Sequence, residues 1–180
     1  MKPTIVLVHG AFADGSSWNG VIPRLEQQGY AVVAPANPLR GVLADSAYLA
    51  SLLGQIDGPV LLAGHSYGGA VGINPALLRE VVAADLPPET TALMAATQPP
   101  VAAAAFTDVC GPPAWKKLPS WAVVATGDKA AGSDLVRSMA RRASADIVEL
   151  EGSHVIMISQ PQAVTDHIVK AAQATVGSGG

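Results

Sequence analysis

Apolar residues along this chain follow two rhythms. Five short runs read as strands: Thr4 to Val8 between Pro3 and Gly10, Tyr30 to Ala34 closed by Pro35 and Pro38, Val60 to Ala63, Trp121 to Ala125, and Asp146 to Leu150. The first and third are short apolar runs and read as buried parallel strands. Between them the spacing turns helical. Trp18, Val21, Ile22 and Leu25 share a face, with Ser16 or Ser17 as the cap and Gly29 as the stop. Tyr48, Leu49, Leu52, Leu53 and Ile56 form the clearest helical face, preceded by a loop from Leu39 to Ala44 and ended by Gly58-Pro59. A helix is expected over Asp134 to Arg142, with Leu135 and Met139 four apart. Another begins near Pro161 and buries Val164, Ile168 and Ala171.

The middle of the chain is less regular. Pro75 starts a helix through Leu77, Leu78, Val81 and Val82, and Pro88 starts one through Leu93 and Met94. Val101 to Ala105 is alanine-rich and reads as helical, and Gly111-Pro112-Pro113 breaks the pattern.

Strands alternating with helices imply parallel pairing, so the expected class is α/β, a doubly wound and mainly parallel sheet of five or six strands. The chain of 180 residues suits one domain over 1–176, with an insertion at about 75–113 and a flexible tail at 177–180. Hydrophobic residues at 49% and charged residues at 14% exclude a disordered chain. A formal charge of −3 with no basic stripe offers nothing to phosphates, so no nucleic-acid partner is expected. No apolar run reaches the ~18 residues of a membrane span. Cys110 is the lone cysteine, and Lys2-Pro3 runs into a strand without a leader pattern; a reduced thiol and a cytoplasmic location are the expectation.

The chemistry concentrates at strand ends. Gly64-His65-Ser66-Tyr67-Gly68-Gly69 follows the third strand at once and precedes a small-residue stretch. A serine held on so tight a turn needs small neighbours; Gly64 and Gly68 are expected to relieve crowding, Gly69 and Ala70 to allow close helix packing. The alternative, a glycine-rich phosphate turn, lacks the G-x-G-x-x-G and P-loop spacings and a following lysine. Serine needs a base. Of His9, His65, His154 and His167, the last lies inside a helix, and His9 and His65 are expected to pack around the turn. His154, in a polar loop after the last strand, fits the chain order nucleophile, acid, base. Asp128 directly follows a strand and fits the acid, with Asp134 its rival; Asp108 and Asp146 follow no strand. Backbone N–H groups of Ala11, or else Phe12, and of Tyr67 are the candidate oxyanion donors, with Gly10 letting that backbone approach a substrate. Phe12 and His65 are candidate substrate contacts.

Together, His9-Gly10, the turn around Ser66, Gly127-Asp128 and Ser153-His154 resemble the α/β-hydrolase superfamily. The opening Val6-Leu7-Val8-His9-Gly10-Ala11-Phe12, with Trp18 after it, is similar to the branch of small bacterial esterases, plant methyl esterases and hydroxynitrile lyases. The resemblance covers about 4–71 and 115–172. It implies a reduced α/β-hydrolase fold with a short helical cap, a triad of Ser66, Asp128 and His154, and Ala11 and Tyr67 as oxyanion donors. The segment between departs from the pattern. Val71 runs into Gly72-Ile73-Asn74-Pro75, and no strand is read before Trp121. One strand is missing, so either the neighbouring strands close the gap or a partner chain, as in a homodimer, fills it.

The function expected is hydrolysis of small carboxylic esters through an acyl-enzyme, with no metal and no cofactor, since no His/Cys/Asp cluster has zinc spacing. Apolar residues such as Leu77, Leu78, Val82, Leu93 and Met94 could line an acyl pocket. Two alternatives stand beside it. One is a hydroxynitrile-lyase-like C–C lyase, against which Val155 occupies the place of the lyases' lysine. The other is a non-catalytic ligand-binding scaffold.

Overall fold

Strand β1 (Thr4–Val8) is the centre of a three-stranded parallel sheet. It pairs on one side with β2 (Val32–Val33), Ile5 opposite Val32, and on the other with β3 (Val60–Gly64), from Thr4 opposite Val60 to Val8 opposite Gly64. Strands β4 (Trp121–Ala125) and β5 (Asp146–Leu150) pair in parallel from Trp121 opposite Asp146 to Ala125 opposite Leu150. The computed structural model describes residues 1–66, 75–102, 104–109 and 114–176. Cys110, the tail at 177–180 and the stretch from Tyr67 to Asn74 therefore lie outside the described residues.

The doubly wound parallel architecture is present with five strands among the described residues, but these fall into two hydrogen-bonded groups, β2-β1-β3 and β4-β5. The division falls between Gly64 and Trp121, the interval in which no strand is read from the sequence. Of the two outcomes foreseen for that gap, closure by direct pairing of β3 with β4 does not occur among the described residues. The C-terminal helix α8 (Pro161–Val176) packs against both β3 and β4 instead.

Burial accounts for the apolar run of β1 but not for that of β3, which leaves Val60 and Leu62 exposed. Ile5, Val6 and Leu7 are wholly inaccessible, because β1 is covered on both faces. Each such side chain contributes about 1.5–3 kcal/mol relative to an exposed one.

The helices follow their signals with instructive exceptions. A 3₁₀ turn (Gly15–Trp18) precedes α1 (Ile22–Gln27), and its cap is Asp14, whose carboxylate accepts the Ser16 N–H at 2.8 Å, rather than Ser16 or Ser17. Val21 and Leu25 are fully buried, and Gly29, at φ +77°, turns the chain toward β2. Helix α2 (Val42–Leu53) starts inside the expected loop. Asp45, buried, accepts the N–H groups of Arg40 (3.1 Å) and Gly41 (3.4 Å) and so anchors that start. The apolar face of α2 is only partly covered, with Tyr48 exposed.

Helices α3 (Pro75–Val81) and α4 (Pro88–Thr97) begin at the expected prolines. Leu78, Val82, Ala83 and Leu86 join the main core, so this segment is rooted in the body of the protein. Helix α5 (Ala104–Thr107) lies a little beyond the expected Val101–Ala105, and a second 3₁₀ turn spans Ala114–Lys116. Helix α6 (Ser133–Arg142) turns Leu135 and Met139 to solvent and buries Ala140. A short helix, α7 (Ile156–Ser159), carries the buried Met157 and was not foreseen. Helix α8 (Pro161–Val176) buries Val164, Ile168 and Ala171, as their spacing implied.

Candidate active site

Parallel register brings four loops to one end of the strands, where α/β proteins bind ligands. After β1 come His9 to Phe12, and after β3 His65 and Ser66. After β4 come Gly127 and Asp128, and after β5 Gly152 to His154. A cleft there is lined by Ala11, Phe12, His65, Ser66 and His154, with Leu78, Val82 and Met94 supplying its apolar wall.

Asp128 and His154 meet in it. The Nδ1–H of His154 donates to Asp128 Oδ2 at 2.8 Å, which leaves Nε2 as the basic nitrogen of the ring. The other carboxylate oxygen, Oδ1, accepts the N–H groups of Ala130 (2.8 Å) and Ala131 (3.0 Å). Burial disfavours the Asp128 anion, but the His154 hydrogen bond and the two amides outweigh it and hold the carboxyl below the usual range. Asp128 is therefore an anion of fixed orientation.

Two glycines make this meeting possible. The parallel ladder continues past the strand ends: Thr126 N–H donates to Leu150 C=O, and Gly127 N–H to Gly152 C=O, each at 2.9 Å. A Cβ on Gly127 would stand 2.8 Å from that Gly152 oxygen. On Gly152 it would meet Ile156 Cδ1 at 2.4 Å and Asp85 Oδ2 at 2.7 Å.

His9 is buried and spent structurally. Its Nε2 accepts the Asn37 N–H at 2.8 Å, so its proton sits on Nδ1, which donates to Gly10 C=O at 2.9 Å. With both nitrogens engaged it is no rival as a base. His65 donates from Nε2 to the backbone carbonyl of His154 at 3.0 Å, and the two rings lie 4.8 Å apart between centroids. Its Nδ1 is buried without a partner among the described residues. Burial, and then the neighbouring His154, push the His65 imidazole down to about 3, so the ring is neutral across the ordinary pH range. His167 is a buried residue of α8.

The loop after β1 presses on Ser66. A Cβ on Gly10 would fall 2.1 Å from the Ser66 carbonyl oxygen. The room that Gly10 gives is thus used by the backbone at Ser66. Phe12 adopts φ +59°, the left-handed region that L side chains rarely occupy, and it lines the cleft beside Ala11. At Gly64 nothing among the described residues lies within 4 Å of a Cβ placed there, and the turn residues it is expected to make room for lie outside them. Tyr67 and Gly68 to Ala70 lie outside the described residues.

The rival carboxylates are engaged elsewhere. Asp134 binds Arg137, which also grips Glu149 through two bonds; Asp146 binds Lys170; and Asp108 lies beside Gly41. One carboxylate that sequence reasoning passed over stands next to the site. Asp85, between α3 and α4, accepts both the N–H and the hydroxyl of Ser153, the residue before His154. Its sequence signal, an aspartate before Leu86-Pro87, is that of any turn. No group of three or more metal-ligating side chains occurs among the described residues. No helix among them is long and apolar enough to cross a membrane.

Comparison with known proteins follows this geometry. The family model described as alpha/beta hydrolase family matches residues 5–107 and, in a second match, 78–167. A pyrethroid hydrolase of Sphingobium wenxiniae is 37% identical over 79 residues, covering 37% of this chain and 28% of its own length. An AB hydrolase superfamily protein of Gibberella zeae is 43% identical over 42 residues, covering 23% of this chain and 15% of its own. The matched stretches thus span under a third of those relatives. Among solved structures, an Arabidopsis methylesterase superposes with a TM-score of 0.81 at 18% identity, over 95% of this chain and 99% of the other. Polyneuridine aldehyde esterase gives 0.81 at 16% identity, over 96% and 100%. At such identities these likenesses carry the fold. By the family match over most of its length, the chain belongs to the alpha/beta hydrolase family.

Proposed function

We propose that the chain hydrolyses small carboxylic esters with Ser66 as nucleophile, His154 as base and Asp128 as the orienting acid. The observation that carries this reading is the 2.8 Å bond from His154 Nδ1 to Asp128 Oδ2, in a cleft that Ser66 and His154 both line.

Ser66 Oγ attacks the ester carbonyl while His154 Nε2 takes its proton. Asp128, already ionised and fixed by two amides, stabilises the imidazolium that forms. The N–H groups of Ala11 and Tyr67 receive the oxyanion. His154 then protonates the departing alcohol. Water, activated by the same nitrogen, releases the acid and restores Ser66. Phe12 and His65 border the substrate, and Leu78, Val82 and Met94 offer an apolar wall suited to a short acyl or alkyl group. The names of the similar proteins, a pyrethroid hydrolase, a methylesterase and an aldehyde esterase, agree with ester chemistry. The lyase alternative lacks support here: Val155, buried at the cleft, brings no charge to receive cyanide.

The test is pre-steady-state release of p-nitrophenol from p-nitrophenyl butyrate. A burst of about one equivalent, abolished in Ser66→Ala together with at least ~10³-fold of the turnover, is expected. Equal rates in both proteins would reject the reading.

A further inference from the structure

The loop that carries His154 is also held by a residue from outside the strand ends. Ser153 is almost wholly buried, and both its donors go to one side chain. Its N–H reaches Asp85 Oδ2 at 3.0 Å, and its hydroxyl reaches Asp85 Oδ1. Asp85 itself is exposed and lies 68 residues earlier, where α3 ends and the chain turns toward α4. Its carboxylate also lies close over Gly152, where a Cβ would come within 2.7 Å of Oδ2. The three residues Gly152, Ser153 and His154 are thus tied at three points: Gly152 C=O to Gly127 N–H, Ser153 to Asp85, and His154 C=O to His65 Nε2.

The first and third ties come from the strand ends that form the site. The second comes from the segment that supplies the apolar wall, since Leu78, Val82 and Met94 flank Asp85 in sequence on α3, just after it, and on α4. From this two-point grip we infer that Asp85 is a positioning residue for His154, fixing the height and rotation of the imidazole and coupling it to the wall that contacts the substrate. The inference rests on the hydrolase reading above. Asp85 touches no reacting atom; it acts by removing the freedom of Ser153. A displacement of about 1 Å in a catalytic group costs on the order of 10²-fold in rate, which sets the scale expected.

The experiment compares Asp85→Ala, Asp85→Asn and Ser153→Ala with the wild type, using p-nitrophenyl butyrate and the downfield proton resonance of His154 Nδ1–H. Asp85→Ala should lower kcat by about 10- to 100-fold with KM within about twofold, and should broaden or abolish the resonance. Asp85→Asn keeps an oxygen for the Ser153 N–H and an amide for its hydroxyl, so it should restore kcat to within about threefold and keep the resonance. If Asp85→Ala does not fold, Ser153→Ala decides, since it deletes only the hydroxyl bond and should lower kcat about 3- to 10-fold at unchanged KM. Wild-type kcat in Asp85→Ala, a kcat loss with the resonance intact, an Asp85→Asn as impaired as Asp85→Ala, or an unaltered Ser153→Ala would each overturn the inference. If the wild type gives no Ser66-dependent burst, the hydrolase reading falls, and the resonance in the same variants still decides whether Asp85 orders His154.

Discussion

The amide of Gly127 donates to the carbonyl of Gly152 at 2.9 Å, and this single contact brings the loop of Asp128 against the loop of His154. It extends the β4–β5 ladder beyond the last strand residues, so Asp128 and His154 inherit the register of the strands that carry them. A methyl group at Gly127 would sit 2.8 Å from backbone oxygen, which cannot swing aside as a flexible side chain would. Gly127→Ala should therefore separate the loops, cost about 1–3 kcal/mol of stability, and lower kcat at least ~10²-fold. Urea unfolding and ester turnover measured side by side check both effects.

Asp128 yields a prediction about pH. Its carboxyl is held below the ordinary range because bonds from His154 and from the Ala131 and Ala130 amides overcome burial. A folded-state pKa below the unfolded one gives stability that is complete above the unfolded value of about 3.9 and is lost as pH falls through the folded value. The stability gap between wild type and Asp128→Asn should thus be constant from pH 5 upward and close on acidification below about 4. Activity of Asp128→Asn at pH 7 should be ~10³- to 10⁴-fold lower, since a neutral amide neither fixes the tautomer nor offsets the imidazolium. A gap that widened toward acid would contradict the assignment of Asp128 as a bonded anion.

His65 behaves in the opposite chemical sense but the same direction of pH. Burial and the adjacent His154 lower its imidazole to about 3. The unfolded chain, with an ordinary value of about 6.5, binds that proton first, so acidification below about 6.5 favours unfolding. His65→Gln can still donate to the His154 carbonyl but cannot titrate. Its stability should fall less steeply than the wild type's between pH 6.5 and 4, by up to one proton's worth of slope. Equal slopes would show that His65 is not the group taking up the proton.

Gly10 is the tightest contact at the site. Gly10→Ala would drive a methyl to 2.1 Å from the Ser66 carbonyl oxygen, so the loop after β1 or the turn at Ser66 must shift. Both the burst and the steady-state rate should fall at least ~10²-fold, with a loss of about 1–3 kcal/mol in stability. Gly54→Ala is the matched control, because Gly54, just past the end of α2 at φ −65°, has nothing nearer than 3.5 Å to a Cβ placed there. It should leave both measurements within about twofold of the wild type.

What the chain revealed in advance was whatever is encoded over a few neighbouring residues. The bounds of β4 and β5 coincide with their apolar runs, and the proline starts of α3 and α4 were read directly. Asp128 and His154 were found because each follows a strand, and the fold turns that local fact into a contact. Non-local features escaped. Asp85 meets Ser153 across 68 residues, and no spacing rule joins an aspartate in one turn to a serine in another. Helix α2 misled for a related reason: its apolar spacing is helical, but burial depends on what covers it, and Tyr48 stays exposed while Asp45 is buried. Helix α7 has only four residues, too few for a periodic pattern.

The two strand groups have a mechanical consequence for catalysis. Ser66 follows β3, whereas Asp128 and His154 follow β4 and β5, so the hydroxyl and the imidazole proposed as nucleophile and base stand on opposite banks of a seam that no ladder crosses among the described residues. Packing of α8 against β3 and β4 and a bridge from His65 to the His154 carbonyl keep the banks in line. Packing of this kind yields to heat and pressure sooner than a hydrogen-bonded ladder. On warming, turnover should fade while far-ultraviolet circular dichroism still reports intact helices and strands, as the two banks slide apart before either dissolves.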